Sequence, residues 1–130
     1  MDLLIVDDDK ELRETLKEVF EKDGYLIDTA SCGEEAIYIV RRRPVRVLIS
    51  DYDMPDFNGI ELIRKLKEEL HRVDIRYLLM TGEIDIDFYD EALRLGIEHL
   101  FRKPFELLVL KRYLESILSG GINYGKDYWN

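Results

Sequence analysis

The chain has 130 residues, with 19 Lys+Arg against 28 Asp+Glu and a formal charge of −9, a length that suits one compact domain. Its hydrophobic share of 46% supports a real core and excludes a disordered chain, despite 36% charged residues. A surface this acidic repels phosphates, which argues against direct binding of nucleic acid or membrane and favours basic partners or bound cations.

The first element expected is a strand over Leu3–Val6. Its apolar run is too short for a signal-peptide core or a membrane span, and no other stretch approaches the roughly 20 apolar residues that a spanning helix needs. A cytoplasmic chain is the expectation. Leu12, Leu16, Val19 and Phe20 recur at helical spacing, with Asp9 placed to cap the helix and Gly24 to end it. A second strand follows over Leu26–Ala30. Cys32, the only cysteine, comes next and excludes an internal disulfide or a multi-cysteine metal centre.

The second helix is expected over Glu34–Arg42, stopping before Pro44, and the third strand over Val45–Ser50. A helix over Ile60–Leu70, a strand over Tyr77–Thr81, and a helix over Phe88–Leu95 ending at Gly96 continue the alternation. The last strand is expected over Leu100–Arg102, and the last helix over Glu106–Leu118, ending at Gly120-Gly121. Repeated βα units with right-handed crossovers predict an α/β fold: a doubly wound five-stranded parallel sheet in a flavodoxin-like three-layer sandwich. Residues 1–119 form the expected domain. Residues 120–130, with Tyr124, Tyr128 and Trp129, are expected to be a C-terminal tail.

In such sheets ligands bind beyond the carboxyl ends of the strands. The residues there are Asp7, Asp8 and Asp9 after the first strand, and Asp51, Tyr52 and Asp53 after the third. Thr81-Gly82 follow the fourth, and Lys103-Pro104 the fifth. Asp7, Asp8 and Asp51 brought close together would repel one another unless a cation sat among them. Oxygen-only ligands favour Mg²⁺, with Mn²⁺ also suited. Asp9 is better read as a helix cap. With a metal on two carboxylates, the Asp51 carboxylate is placed as a nucleophile in phosphoryl transfer, Lys103 as a second positive partner, and the Thr81 hydroxyl as a donor to a phosphoryl oxygen. The product would be an acyl phosphate on Asp51.

Four segments in order carry a family likeness: Val6-Asp7-Asp8-Asp9, the run from Asp51 through Met54-Pro55 to Asn58-Gly59, Met80-Thr81-Gly82, and Lys103-Pro104-Phe105. Over residues 1–119 the chain resembles the receiver domain of two-component response regulators. The resemblance implies that Asp51 accepts a phosphoryl group from a sensor histidine kinase or a histidine phosphotransfer protein. It implies Mg²⁺ on the carboxylates of Asp8 and Asp51 and the backbone carbonyl of Asp53, with Asp7 acting through a bound water. Thr81 and Lys103 would contact the phosphoryl oxygens, and a cis Lys103–Pro104 bond would turn the lysine toward them.

The resemblance also implies a signalling domain with self-catalysed phosphoryl transfer and autodephosphorylation, and no other enzymatic activity. Its readout would be a shift in the surface of the fourth helix, fifth strand and fifth helix. A downstream protein target or an output domain would receive that shift, and a phosphorylation-dependent homodimer is admitted. The chain would be a stand-alone regulator or the receiver of a longer protein.

One position departs from the family pattern. Receivers usually carry Tyr or Phe three residues before the lysine, whereas this chain has Leu100, flanked by His99 and Phe101, and strand alternation points Phe101 to the opposite face. Asp53 and Glu83, two residues after the acceptor and the threonine, border the water path in this family and are expected to tune the lifetime of the acyl phosphate.

Three other readings compete. An aspartate-nucleophile phosphatase of the haloacid dehalogenase type fits Val47–Asp53, but in that family the acidic pair comes last, and Pro55 stands where threonine or valine is typical. A flavodoxin-like redox module would place three aspartates against the flavin phosphate. A receiver-like docking module without phosphorylation keeps the fold and drops the chemistry.

Overall fold

A computed structural model describes residues 1–82 and 86–119. The elements alternate without exception: β1 (Leu3–Val6), α1 (Lys10–Lys22), β2 (Ile27–Ala30), α2 (Gly33–Arg42), β3 (Val47–Asp51), α3 (Gly59–Glu68), β4 (Arg76–Thr81), α4 (Ile86–Arg94), β5 (His99–Arg102) and α5 (Leu107–Leu118). All strand pairs are parallel, in the order β2-β1-β3-β4-β5. This is the doubly wound α/β sheet expected, and the order reverses between β1 and β3.

Both faces of the sheet are covered, which explains why the central strands are apolar at consecutive positions. Leu4, Val6, Leu48, Tyr77, Leu79 and Leu100 face α2, α3 and α4, where Ala36, Val40, Ile63, Leu66 and Ala92 meet them. Leu3, Ile5, Val47, Ile49, Leu78 and Phe101 face α1 and α5, against Leu16, Phe20, Leu110, Leu114 and Ile117. No helix among the described residues is long and apolar enough to cross a membrane.

α1 is capped as expected, and α3 is capped in the same way by a residue not expected in that role. Asp9 Oδ1 accepts from Leu12 N at 3.2 Å and Asn58 Oδ1 from Glu61 N at 2.9 Å. Gly24, at φ +89°, and Gly96, at φ +74°, end α1 and α4 in the left-handed region that glycine enters at no steric cost.

Element ends shift where pairing decides them. β3 starts at Val47 rather than Val45 because Leu3↔Val47 is the first β1–β3 pair, and it runs on through Asp51, which pairs with Met80. β2 starts at Ile27, since Leu26 is 68% exposed and its carbonyl accepts from Asp2 and Leu3. β5 takes in His99, which is buried between the rings of Phe101 and Tyr113 at 4.5 and 4.7 Å. α3 stops at Glu68, two residues before Leu70, and His71 then turns the chain at φ +55°. The expected stop at Gly120-Gly121 and the tail with Tyr124, Tyr128 and Trp129 lie outside the described residues.

Candidate functional site

Sheet register brings the expected residues to one edge. Val6 pairs with Ser50, so Asp7 and Asp51, one step on, stand side by side at the β1/β3 reversal. Thr81 pairs with Arg102, so Lys103 emerges beside the end of β4, and its N–H donates to the Thr81 carbonyl at 2.7 Å. Lys103 Nζ lies 3.2 Å from Asp7 Oδ2 and 3.2 Å from Asp51 Oδ1. The Lys103–Pro104 peptide bond is cis.

Asp7, Asp51 and Thr81 are buried, whereas Asp8 and Asp53 are exposed. Carboxylate oxygens of Asp7, Asp8 and Asp51 lie within 4.8 Å of one another. Burial, then the nearby Asp7 charge, push the Asp51 carboxyl up to about 6 against the pull of Lys103. Asp7 is raised as well: burial outweighs the Asp9 N–H at 2.9 Å and the lysine. Burial lowers the Lys103 ammonium, and Asp7 and Asp51 together more than reverse this, leaving it above its ordinary value.

One lysine thus faces two buried carboxylates with a third exposed acid alongside, an excess of negative charge formed entirely of oxygen donors. This set fits a hard divalent cation, because such ions take carboxylate oxygens and retain waters on an open side. The exposure of Asp8 leaves such a side open.

Leu100 and Phe101 are both fully buried and point to opposite faces of the sheet, as strand alternation requires. Phe101 packs on Tyr113 and Phe105, with ring centroids at 5.4 and 6.2 Å. It therefore belongs to the α1–α5 side and does not replace an aromatic at position 100. Glu83 lies outside the described residues.

Two further residues, not evident among the strand-end motifs, support the site. Arg13 donates to the Asp7 carbonyl at 2.7 Å, fixing the end of β1 from the first turn of α1. Asp56 reaches the N-terminus of α2 at Gly33 and Glu34. The i, i+6 spacing of Asp7 and Arg13 could have suggested the first, but no local pattern pointed to the second.

Residues 3–115 match the family model described as the response regulator receiver domain. The chain is similar to a chemotaxis protein CheY homolog of Campylobacter jejuni, at 32% identity over 127 residues covering 96% of this chain and 98% of that protein. It is similar also to sporulation initiation phosphotransferase F of Bacillus subtilis, at 34% identity over 105 residues covering 81% and 83% of the two chains. Among solved structures, the non-phosphorylated HemR receiver domain of Leptospira biflexa aligns at a TM-score of 0.82 and 30% identity, covering 91% of this chain and 94% of that one.

Proposed function

The chain belongs to the response regulator receiver domain family, a family of signalling domains, and on that premise we propose that it accepts a phosphoryl group on Asp51 and passes the change to a protein-binding surface. The observation that carries this reading is the buried Asp51 carboxylate, held 3.2 Å from Lys103 and within 4.8 Å of the Asp7 and Asp8 oxygens.

In the transfer, an Asp51 carboxylate oxygen attacks the phosphorus of a kinase or phosphotransfer-protein phosphohistidine. The P–O bond forms, the P–N bond breaks, and the leaving imidazole takes a proton. Lys103, already in place on Asp51, pairs with the incoming phosphoryl oxygens, and the Thr81 hydroxyl donates to another. Asp8 and Asp51 through their carboxylates, Asp53 through its backbone carbonyl and Asp7 through water would hold Mg²⁺ or Mn²⁺, which when bound supplies positive charge to the transferred group.

Asp53 and Glu83 tune how long the acyl phosphate lasts; unchanged dephosphorylation in both Asp53→Asn and Glu83→Ala would sink that role. Leu100, packed in the α2–α4 core, and Phe101, in the α1–α5 core, transmit the change to α4, β5 and α5 by repacking. A downstream target, an output domain or a second copy of the chain reads the altered surface in the cytoplasm.

The test is intact-mass analysis after incubation with acetyl phosphate, with and without Mg²⁺, for wild type and Asp51→Asn. A single Mg²⁺-dependent, base-labile adduct that the variant lacks is the expected result. A folded wild type that gains no adduct under any condition would leave a docking module that keeps the residues without the reaction.

A further inference from the structure

α2 starts without a cap of its own. Cys32, its N-cap residue, makes no side-chain hydrogen bond to the first turn, where Ser, Thr, Asp or Asn would be usual. The open N–H groups are met from the β3–α3 loop instead. Asp56 Oδ1 accepts from Gly33 N at 3.1 Å and Oδ2 from Glu34 N at 2.8 Å, while Oδ1 also accepts from Phe57 N at 2.8 Å. Burial raises the Asp56 pKa, but the N–H groups of Glu34, Phe57 and Gly33 more than reverse this and hold it below the ordinary value.

Phe57 tightens the joint. Its ring lies so close over Gly33 that a Cβ there would stand 2.2 Å from Cε2. The base of the loop is fixed as well. Tyr52 N donates to Met80 O and Gly59 N to Tyr52 O, both at 2.8 Å. Asp53 lies between these two anchorages, next to Tyr52 and three residues before Asp56.

The first turn of α2 already carries Glu34 and Glu35, yet the carboxylate that meets its open N–H groups comes from more than twenty residues away. A cap serving only the helix would not need to come from the loop. We infer that Asp56 is a positioning residue of the cation site: by docking residues 52–58 onto the start of α2, it fixes the Asp53 carbonyl beside the oxygens of Asp7, Asp8 and Asp51. The inference rests on the cation-binding reading of those three acids. It extends the site's support to a helix that contributes none of its ligands. By linkage, whatever displaces the start of α2 weakens the cation, and the cation in turn steadies α2.

Free Mn²⁺ is counted by electron paramagnetic resonance in titrations of the full chain: wild type, Asp56→Ala, Asp56→Asn and Gly33→Ala. The alanine variant at 56 is expected to bind Mn²⁺ about tenfold more weakly, the scale usual for loss of an outer support of a metal ligand. Asn, whose amide oxygen still accepts, should fall between it and wild type, and Gly33→Ala should weaken binding by pushing Phe57 away. The rate with acetyl phosphate should need more Mg²⁺ to reach half-maximum, with its maximum retained.

A purely structural role predicts a lower melting temperature with Mn²⁺ affinity unchanged, and that result overturns the inference while leaving the cation site standing. A wild type that binds no Mn²⁺ overturns both. If Asp56→Ala does not fold, the Asn and Gly33 variants decide.

Discussion

Asp51 sits where its burial conflicts with its charge, as Asp7 does beside it. Its carboxyl, pushed up to about 6 by burial and by Asp7, is protonated more readily in the folded chain than in the unfolded one. The stability this group contributes is thus present in full below its ordinary value of 3.8 and is lost as pH rises through about 6. A difference of about two pH units corresponds to about 2–3 kcal/mol. In chelator, Asp51→Asn is therefore predicted to be more stable than wild type at pH 8 by an amount of this order, with the gap closing toward pH 4. Thermal denaturation of the pair across that range checks it; equal melting temperatures at pH 8 would show that Lys103 already compensates the charge. Burial of an unfavourable carboxylate is a cost to the fold of the kind that clusters at functional sites.

Gly59, the first residue of α3, shows how tightly neighbouring elements hold that carboxylate. A Cβ there would lie 2.5 Å from the Asp51 carbonyl oxygen and 2.7 Å from Leu79 Cδ1, so Gly59→Ala must move backbone at Asp51, the proposed acceptor. A loss of about 1–3 kcal/mol is expected, as for overpacking, together with slower labelling by acetyl phosphate. Gly24→Ala is the contrast: nothing lies within 4 Å of its Cβ, and only its φ of +89° is strained, so it should cost about 1 kcal/mol and leave labelling unchanged. Urea unfolding and labelling rates separate the two.

The elements themselves were legible because β1, β3 and β4 are buried on both faces and the helices on one, which writes different periods into the sequence. Their ends were legible only where a local residue sets them, as Asp9 and Gly24 do for α1. The start of β3 depends on β1, and the place of His99 in β5 depends on α5, so neither is written locally. The strand-end residues of the site were readable because topology alone gathers them. Asp56 was not, because its partners at Gly33 and Glu34 are more than twenty residues away, and the run Asp56-Phe57-Asn58-Gly59 reads as ordinary turn chemistry.

Charge is distributed unevenly over the whole molecule. Along the edge where the strands begin, arginines and acids pair off: Arg43 with Asp28, Arg46 with Asp2, Arg72 with Asp74 and Arg76 with Glu98. Along the edge where they end, Asp7, Asp8, Asp9, Asp51 and Asp53 gather, and Lys103 is the cation that the ion pairs place on Asp7 and Asp51. Five acids thus meet at the candidate site in a chain of net charge −9, and a divalent cation bound there would relieve their repulsion in the folded chain only. Binding to the folded state alone adds RT ln(1 + [L]/Kd), about 2.7 kcal/mol at a hundred times Kd. The melting temperature is therefore predicted to climb with Mg²⁺ in wild type and to climb much less in Asp8→Asn and Asp51→Asn. Sodium chloride at matched ionic strength, which only screens, should reproduce a small part of the rise. A wild-type melting temperature indifferent to Mg²⁺ at millimolar levels would mean that these acids repel one another without holding a cation, and that Lys103 alone makes the burial of Asp7 and Asp51 tolerable.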